Sequence, residues 1–366
     1  MVSSLLFLKV GVFLLDIFFS VLADSKTAVI ITSPENRRYF TGFNSTDGFL
    51  VITKDEATFF TDSRYIEAAQ KQISVCKAVL LKSAEETMVP FLKEKGVEKI
   101  LLETDRMTVG FLNKLKKLFD FCEVDANEVV DSLVDKLRET KTEKEIECIK
   151  KAQQIAEEAF AHALELIKPG VSEKDIALAL DFYMLSHGAE AVSFDTIVVS
   201  GKNSSMPHGV PTDKKIENGD FVTMDFGAVY NGYHSDMTRT VAVGEPTEKQ
   251  KEIYSVVLKA QKAALSVLKA GVPCSEADKA ARDVIEAAGY KEFFGHGTGH
   301  GVGIEIHEAP TLSPRSKADL YEGNVVTIEP GIYIPNEFGV RIEDMALITK
   351  DGFVNLTSCE KELIIL

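Results

Sequence analysis

Disulfide and zinc-knot spacing is missing from this sequence. Its five cysteines, Cys76, Cys122, Cys148, Cys274 and Cys359, are odd in number, widely scattered and never in a CxxC arrangement, which argues against a disulfide framework or cysteine-held zinc and for a reducing compartment. Basic charge is also scarce. Against 56 Asp+Glu stand 41 Lys+Arg, a formal net charge of −15, and no long Lys/Arg run relieves it, so nucleic acid and polybasic membrane attachment are poor partners. An uncharged hydrophobic span is lacking too. Lys9 and Asp16 interrupt the apolar stretch from Leu5 to Ala23, and the first four residues carry no positive side chain, so it reads as a buried first helix of a cytoplasmic protein. Its Val21-Leu22-Ala23 ending keeps secretion or anchoring through residues 5–23 as the alternative. The sequons at Asn44, Asn203 and Asn355 do not decide between them.

What is present is material for packed cores: 366 residues, 45% hydrophobic and 27% charged, enough for about two domains. From Thr27 to about Asp135, β-branched runs (TAVIIT, GFLVIT, ATFFT, KILLET) alternate with helical patterns at Ala84 to Lys95 and Val109 to Leu118, the signature of an α/β domain. Thr142-x-x-Glu145 then forms a capping box ahead of an apolar helical face, Ile146, Ile149, Ala152, Ala156, Phe160, Ala163 and Ile167, stopped by Pro169-Gly170. We therefore divide the chain into residues 1–138 and 139–366.

The second domain repeats itself. IleLysProGlyVal (167–171) is echoed by LeuLysAlaGlyVal (268–272), each leading into a serine-led helix ending near Gly188 or Gly289, and IENGDFVTMDFG (216–227) aligns without gaps on LYEGNVVTIEPG (320–331). Asp225 falls on Glu329. Asn231-Gly232 is a strong type I′ hairpin signal joining strands Phe221–Tyr230 and Tyr233–Val243. With that turn Tyr230 faces Tyr233 and Asp225 faces Thr238, so Asp236 is the diagonal neighbour of Asp225 on one face. Two carboxylates so close repel unless a cation lies between them. Glu343, in VRIEDM, is expected as the repeat counterpart of Asp236, which makes four acids pairwise symmetric. Nitrogen donors concentrate in GHGTGHGVG (295–303) and His307, with small residues around His300 leaving room for backbone approach. One imidazole and four carboxylates suit divalent ions, manganese first, then cobalt or zinc. His162, His187 and His234 have no such context and read as helix, cap and strand residues.

Together, MDFGAVYNGYHSDMT, HGTGHGVGIEIHE, TIEPGIY and VRIEDM resemble the pita-bread metallopeptidases, specifically the Xaa-Pro aminopeptidase and Xaa-Pro dipeptidase (prolidase) family; SPENRRYFTGF and TDSRY resemble the creatinase-type amino-terminal domain of those enzymes. The resemblance implies an α+β protein: a curved antiparallel sheet backed by helices with internal pseudo-twofold symmetry, after an α/β creatinase-type domain. It implies Asp225, Asp236, His300, Glu329 and Glu343 as ligands of two metal ions, with Glu329 as proton shuttle, His208 and His307 beside the reacting carbonyl, and Arg341 orienting the carboxylates. The implied reaction is attack on the bond before proline by hydroxide bridging two ions about 3.5–4 Å apart. Peptides or dipeptides with proline second are the expected substrates, and a homodimer the expected assembly. The compact HGTGHGVG passage, free of a long insertion, favours the aminopeptidase over the dipeptidase. Three rivals fit less well. A non-catalytic binding module or a metal-free creatinase-like amidinohydrolase would not need all five ligands, and a methionine aminopeptidase would not need the first domain.

Overall fold

In a computed structural model, which describes Phe18 and residues 25–366, the chain divides into two compact units, Met1–Leu137 and Arg138–Leu366. The segment 5–23, expected as a first helix, lies outside the described residues apart from Phe18, which is helical, buried and edge-on to Phe40 with ring centroids 5.2 Å apart. Among the described residues no helix is long and apolar enough to cross a membrane.

In the first unit the four β-branched runs become the strands Thr27–Ile31, Phe49–Ile52, Ala57–Thr61 and Lys99–Leu102, all in one six-stranded mixed sheet. Its edges are Lys77–Leu80 and Glu123–Asp125, which the sequence pattern passes over because both are short, with no residue fully buried to impose alternation. Val109–Leu118 is a helix capped by the Thr108 side chain. The expected helix Ala84 to Lys95 is instead a π turn, Ala84–Met88, followed by Val89–Glu94; Pro90 has no N–H to give back to the preceding turn. Ile30, Val51, Phe60 and Ile100 of the sheet meet Leu92, Leu115 and Phe119 in the core.

The second unit has two similar halves. In the first, the helices Glu143–Leu166 and Glu173–Ser186 bury Ala156, Phe160, Ile176 and Leu180 against Val222, Met224 and Val241 of the three-stranded sheet Met237–Ala242, Phe221–Phe226, Ile197–Ser200. In the second, Glu248–Val267 and Cys274–Ala287 bury Val257, Ala264, Ala277 and Ala281 against Val326, Ile328 and Ala346 of a five-stranded sheet. The Thr142/Glu145 capping box is formed, and Ser172 with Asp175 builds another. The counterpart helix is not serine-led: Pro273 occupies its cap position and Ser275 lies inside it.

The hairpin register is the expected one, Tyr230 against Tyr233 and Thr238 against Asp225. The two long strands, however, are each broken, at Gly227 and at Ser235-Asp236. The backbone carbonyl of Ser235 stands where a Cβ on residue 227 would be, so only glycine admits this pinch, and the buried Ser235 hydroxyl accepts from the Ala228 N–H at 3.0 Å. Asp236 sits at the break, released from the ladder. In the other half, Ile328 pairs with Asp344 and Gly331 with Arg341, and this single register carried across the gap sets Glu329 opposite Glu343. The repeat is therefore only approximately symmetric: Asp225 and Asp236 form a diagonal pair, Glu329 and Glu343 a direct one.

Candidate metal centre

All the acids singled out in the sequence lie at the ends or breaks of these strands. Asp225 is next to last in Phe221–Phe226, Asp236 occupies the break before Met237–Ala242, Glu329 follows Val325–Ile328, and Glu343 precedes Asp344–Ile348. His300 comes from Gly299–Gly301, a neighbour of Val325–Ile328 in its sheet. Gly299 is required there because the Thr327 backbone carbonyl fills its Cβ position, and the Thr327 hydroxyl accepts from the His300 N–H at 3.1 Å.

Ligand atoms of Asp236, His300 and Glu343 lie within 4.8 Å of one another. The His300 Nδ1 is 3.0 Å from the Gly301 carbonyl, an acceptor, so Nδ1 carries the proton and Nε2 presents its lone pair. That lone pair faces Asp236 Oδ2 at 3.5 Å and Glu329 Oε1 at 3.6 Å, too long for hydrogen bonds and suited to a cation between them. Burial holds the His300 imidazole neutral, down to about 4. Burial, then the charges of Glu343, Asp225 and Glu329, pushes the Asp236 carboxyl far above the usual range. Glu343 is raised by burial, then by Glu329 and Asp225. For Glu329, burial outweighs the pull of Arg341 and takes the carboxyl to about 8. Two buried acid oxygens, Asp225 Oδ1 and Glu343 Oε1, have no hydrogen-bond partner, a costly state that a divalent ion relieves. The donor set fits divalent metal.

Arg341, buried, reaches across this cluster. Its Nη2 donates to Asp225 Oδ2 at 2.7 Å and its Nε to Thr238 Oγ1 at 3.0 Å, while Thr238 Oγ1 donates to Glu343 Oε2 at 2.7 Å. One guanidinium thus fixes an acid from each half. Its Nη1 donates to the Tyr333 hydroxyl at 2.9 Å and to the Pro207 carbonyl at 3.2 Å. His296 Nδ1 bonds to the Gly297 carbonyl, leaving Nε2 to accept from the Tyr333 hydroxyl at 2.9 Å. Tyr333 and Thr238 were not among the sequence candidates. The only clue to Tyr333 is its place four residues beyond Glu329, just after Gly331, whose Cβ would strike the Tyr333 hydroxyl.

His307 packs edge-on to His300, ring centroids 4.4 Å apart. His208 is exposed, on the loop Arg341 holds at Pro207, and its charge bears on both His296 and His307. Of the three remaining histidines, His162 and His187 stack on Tyr183 of the helix Glu173–Ser186, and His234, two residues before Asp236, has its Nδ1 2.8 Å from the Ser193 hydroxyl and its N–H on the Gly303 carbonyl. All five cysteines are free.

Comparison with known proteins agrees with this architecture. Residues 147–350 match metallopeptidase family M24, and residues 23–140 match the creatinase/prolidase N-terminal domain. An Xaa-Pro dipeptidase of Pyrococcus horikoshii is 43% identical over 343 residues, covering 93% of this chain and 95% of that protein. The solved structure of an Xaa-Pro dipeptidase from Bacillus anthracis superposes with a TM-score of 0.92 at 45% identity, covering 98% of this chain and 100% of that one. That of an X-Pro aminopeptidase from Thermotoga maritima gives 0.88 at 36% identity, covering 93% and 97%. With its two-halved pita-bread domain behind a creatinase-type domain, this chain belongs to metallopeptidase family M24.

Proposed function

We propose that this chain is a dinuclear Xaa-Pro dipeptidase in which Asp225, Asp236, His300, Glu329 and Glu343 hold two divalent ions, manganese first. The observation that carries the reading is that Asp236, His300 and Glu343 offer ligand atoms within 4.8 Å of one another, with Glu329 3.6 Å from the same imidazole and Asp225 and Glu343 each holding a buried oxygen without a partner. Such ions, when bound, polarise the scissile carbonyl and lower the pKa of water. The chain's own groups do the rest. Glu329, ionised once it holds metal, would take the proton of the attacking water and pass it to the leaving prolyl nitrogen. His208 and His307 stand beside the carbonyl and steady the tetrahedral oxyanion. Arg341 keeps Asp225 and, through Thr238, Glu343 in place. An Xaa-Pro bond has no N–H and a restricted φ, so a site shaped for a tertiary amide takes what ordinary peptidases refuse.

The compact HGTGHGVG passage favours an aminopeptidase, but the relatives at 43% and 45% identity bear the dipeptidase name and the one at 36% the aminopeptidase name. Dipeptidase is therefore the main reading and aminopeptidase the second. Hydrolysis of Ala-Pro against Ala-Pro-Ala with added manganese tests the choice: the dipeptide is expected to be cleaved and the tripeptide spared, and the reverse preference overturns it. Metal analysis is expected to find two ions per chain. A homodimer and a cytoplasmic location belong to the same proposal, with light scattering and cell fractionation as their checks.

A further inference from the structure

A buried carboxylate away from the metal centre is left unused by this reading. Glu173, at the start of the helix Glu173–Ser186, is fully buried; Lys214 donates to the Ser200 hydroxyl at 2.9 Å and pairs with Asp220 rather than with this carboxylate. Its oxygens instead collect five donors from two places. From one side come the Ser200 N–H at 2.7 Å, the Ser200 hydroxyl at 3.0 Å and the Asn203 amide at 3.0 Å; from the other, the Thr212 N–H at 3.1 Å and hydroxyl at 2.6 Å. Ser200 ends a strand of the sheet and Thr212 lies twelve residues on. Between them runs the loop that carries His208.

We infer that Glu173 is a positioning residue for His208, its single carboxylate clamping both ends of the loop 201–211 so that the imidazole is held at the reacting carbonyl. This rests on the peptidase reading above. Within the loop the Ser204 and Ser205 hydroxyls and the Met206 and Gly209 N–H groups bond to nearby carbonyls; its ties to other segments are the Gly339 N–H to the Ser204 hydroxyl at 2.9 Å and Arg341 to the Pro207 carbonyl, with the Lys174 N–H to the Thr212 carbonyl at 3.2 Å at its far end. Met206, His208 and Val210 project into solvent and contribute little packing to hold it. A charged acceptor satisfying two chain segments at once does what packing does not, because each bond to a carboxylate is about twice as strong as a neutral one and opening either end strands buried donors.

Glutamine at this position has one acceptor oxygen and therefore serves one end only. Four full-length, manganese-loaded proteins test the inference: the parent, E173Q, H208A and the double variant. E173Q is expected to lower kcat for Ala-Pro by about 10- to 100-fold with bound metal per chain unchanged, and to add no further loss in the H208A background. Losses that multiply, or an E173Q with parental kcat, overturn it. Hydrogen exchange supplies an arm independent of activity. Amides between Ser204 and Val210 are expected to exchange about 10- to 100-fold faster in E173Q, with Phe221–Phe226 unchanged; equal protection refutes the clamp even if the parent hydrolyses no Xaa-Pro substrate. That last result counts against the peptidase reading instead, whereas H208A at the parental rate overturns the inference itself. Should E173Q not fold, N203A and T212V each remove one side-chain donor from one end, leaving the Ser200 and Thr212 N–H bonds, and are read by the same exchange: faster exchange between Ser204 and Val210 is expected, and equal protection in both variants refutes the clamp.

Discussion

Stripped of metal, this protein should become less stable as the pH rises above neutrality. Asp236, Glu329 and Glu343 are raised by burial and by neighbouring charge, so each binds its proton more tightly folded than unfolded. Stability from such a group is complete below the unfolded pKa and is lost as pH climbs through the folded one. For Glu329, moved from 4.5 to about 8, the loss between about pH 7 and pH 8.5 is about 1 kcal/mol; Asp236 and Glu343 act in the same direction. His296 and His300, held down to about 4 by burial, carry the opposite sign. Their effect falls mainly below the ordinary histidine value of 6.5, where the unfolded imidazoles take up protons. The window above pH 7 therefore isolates the acids. The assay is urea unfolding of chelated parent and E329Q across that window, followed by circular dichroism, with E329Q cancelling contributions from thiols and other shared groups. The parent should lose about 1 kcal/mol relative to E329Q. Manganese at about 100 times its dissociation constant should restore about 2.7 kcal/mol, more tightly at higher pH because binding must expel those protons. Parallel pH profiles for the two chelated proteins would refute a buried cluster of mutually repelling acids.

Further outcomes follow from particular contacts. Asp236→Asn should abolish metal-dependent cleavage with the circular dichroism spectrum unchanged; parental hydrolysis of Xaa-Pro substrates would sink the metal mechanism. Arg341→Lys keeps the charge but cannot hold Asp225, Thr238 and Tyr333 together, so metal affinity by titration calorimetry should fall about 10- to 100-fold. Arg239 and Asp344 are buried partners at 2.8 Å, and Arg239 also donates to the Glu343 carbonyl; Arg239→Met should cost about 1–3 kcal/mol in denaturant unfolding, because that buried carbonyl loses its donor while Lys361, at 2.5 Å, still pairs with Asp344. Gly299→Ala should cost about 1–3 kcal/mol and weaken metal binding, since its methyl meets the Thr327 carbonyl and displaces His300.

What could be read from the chain was local. Asn231-Gly232, with φ of 50° and 86°, dictates a two-residue turn whose register places Asp225 opposite Thr238 before any tertiary contact forms. The helix Glu143–Leu166 likewise announces itself through its capping box and its buried Ile149, Ala152 and Phe160. The repeat put Asp225 and Glu329 in equivalent places, but not the difference between a diagonal and a direct acid pair, because the two hairpins have different lengths and a repeat alignment carries no register.

Sequence alone determined which residue types lie at strand ends and turns, since backbone periodicity, turn chemistry and caps act over a few residues. Tertiary structure decided which groups meet: Arg341 with Asp225 across 116 positions, Thr238 with Glu343 across 105, Glu173 with Thr212 across 39. A hydrogen bond needs donor and acceptor within about 3 Å, and whether two distant segments come that close depends on how helices and sheets pack, which no single stretch of the chain encodes.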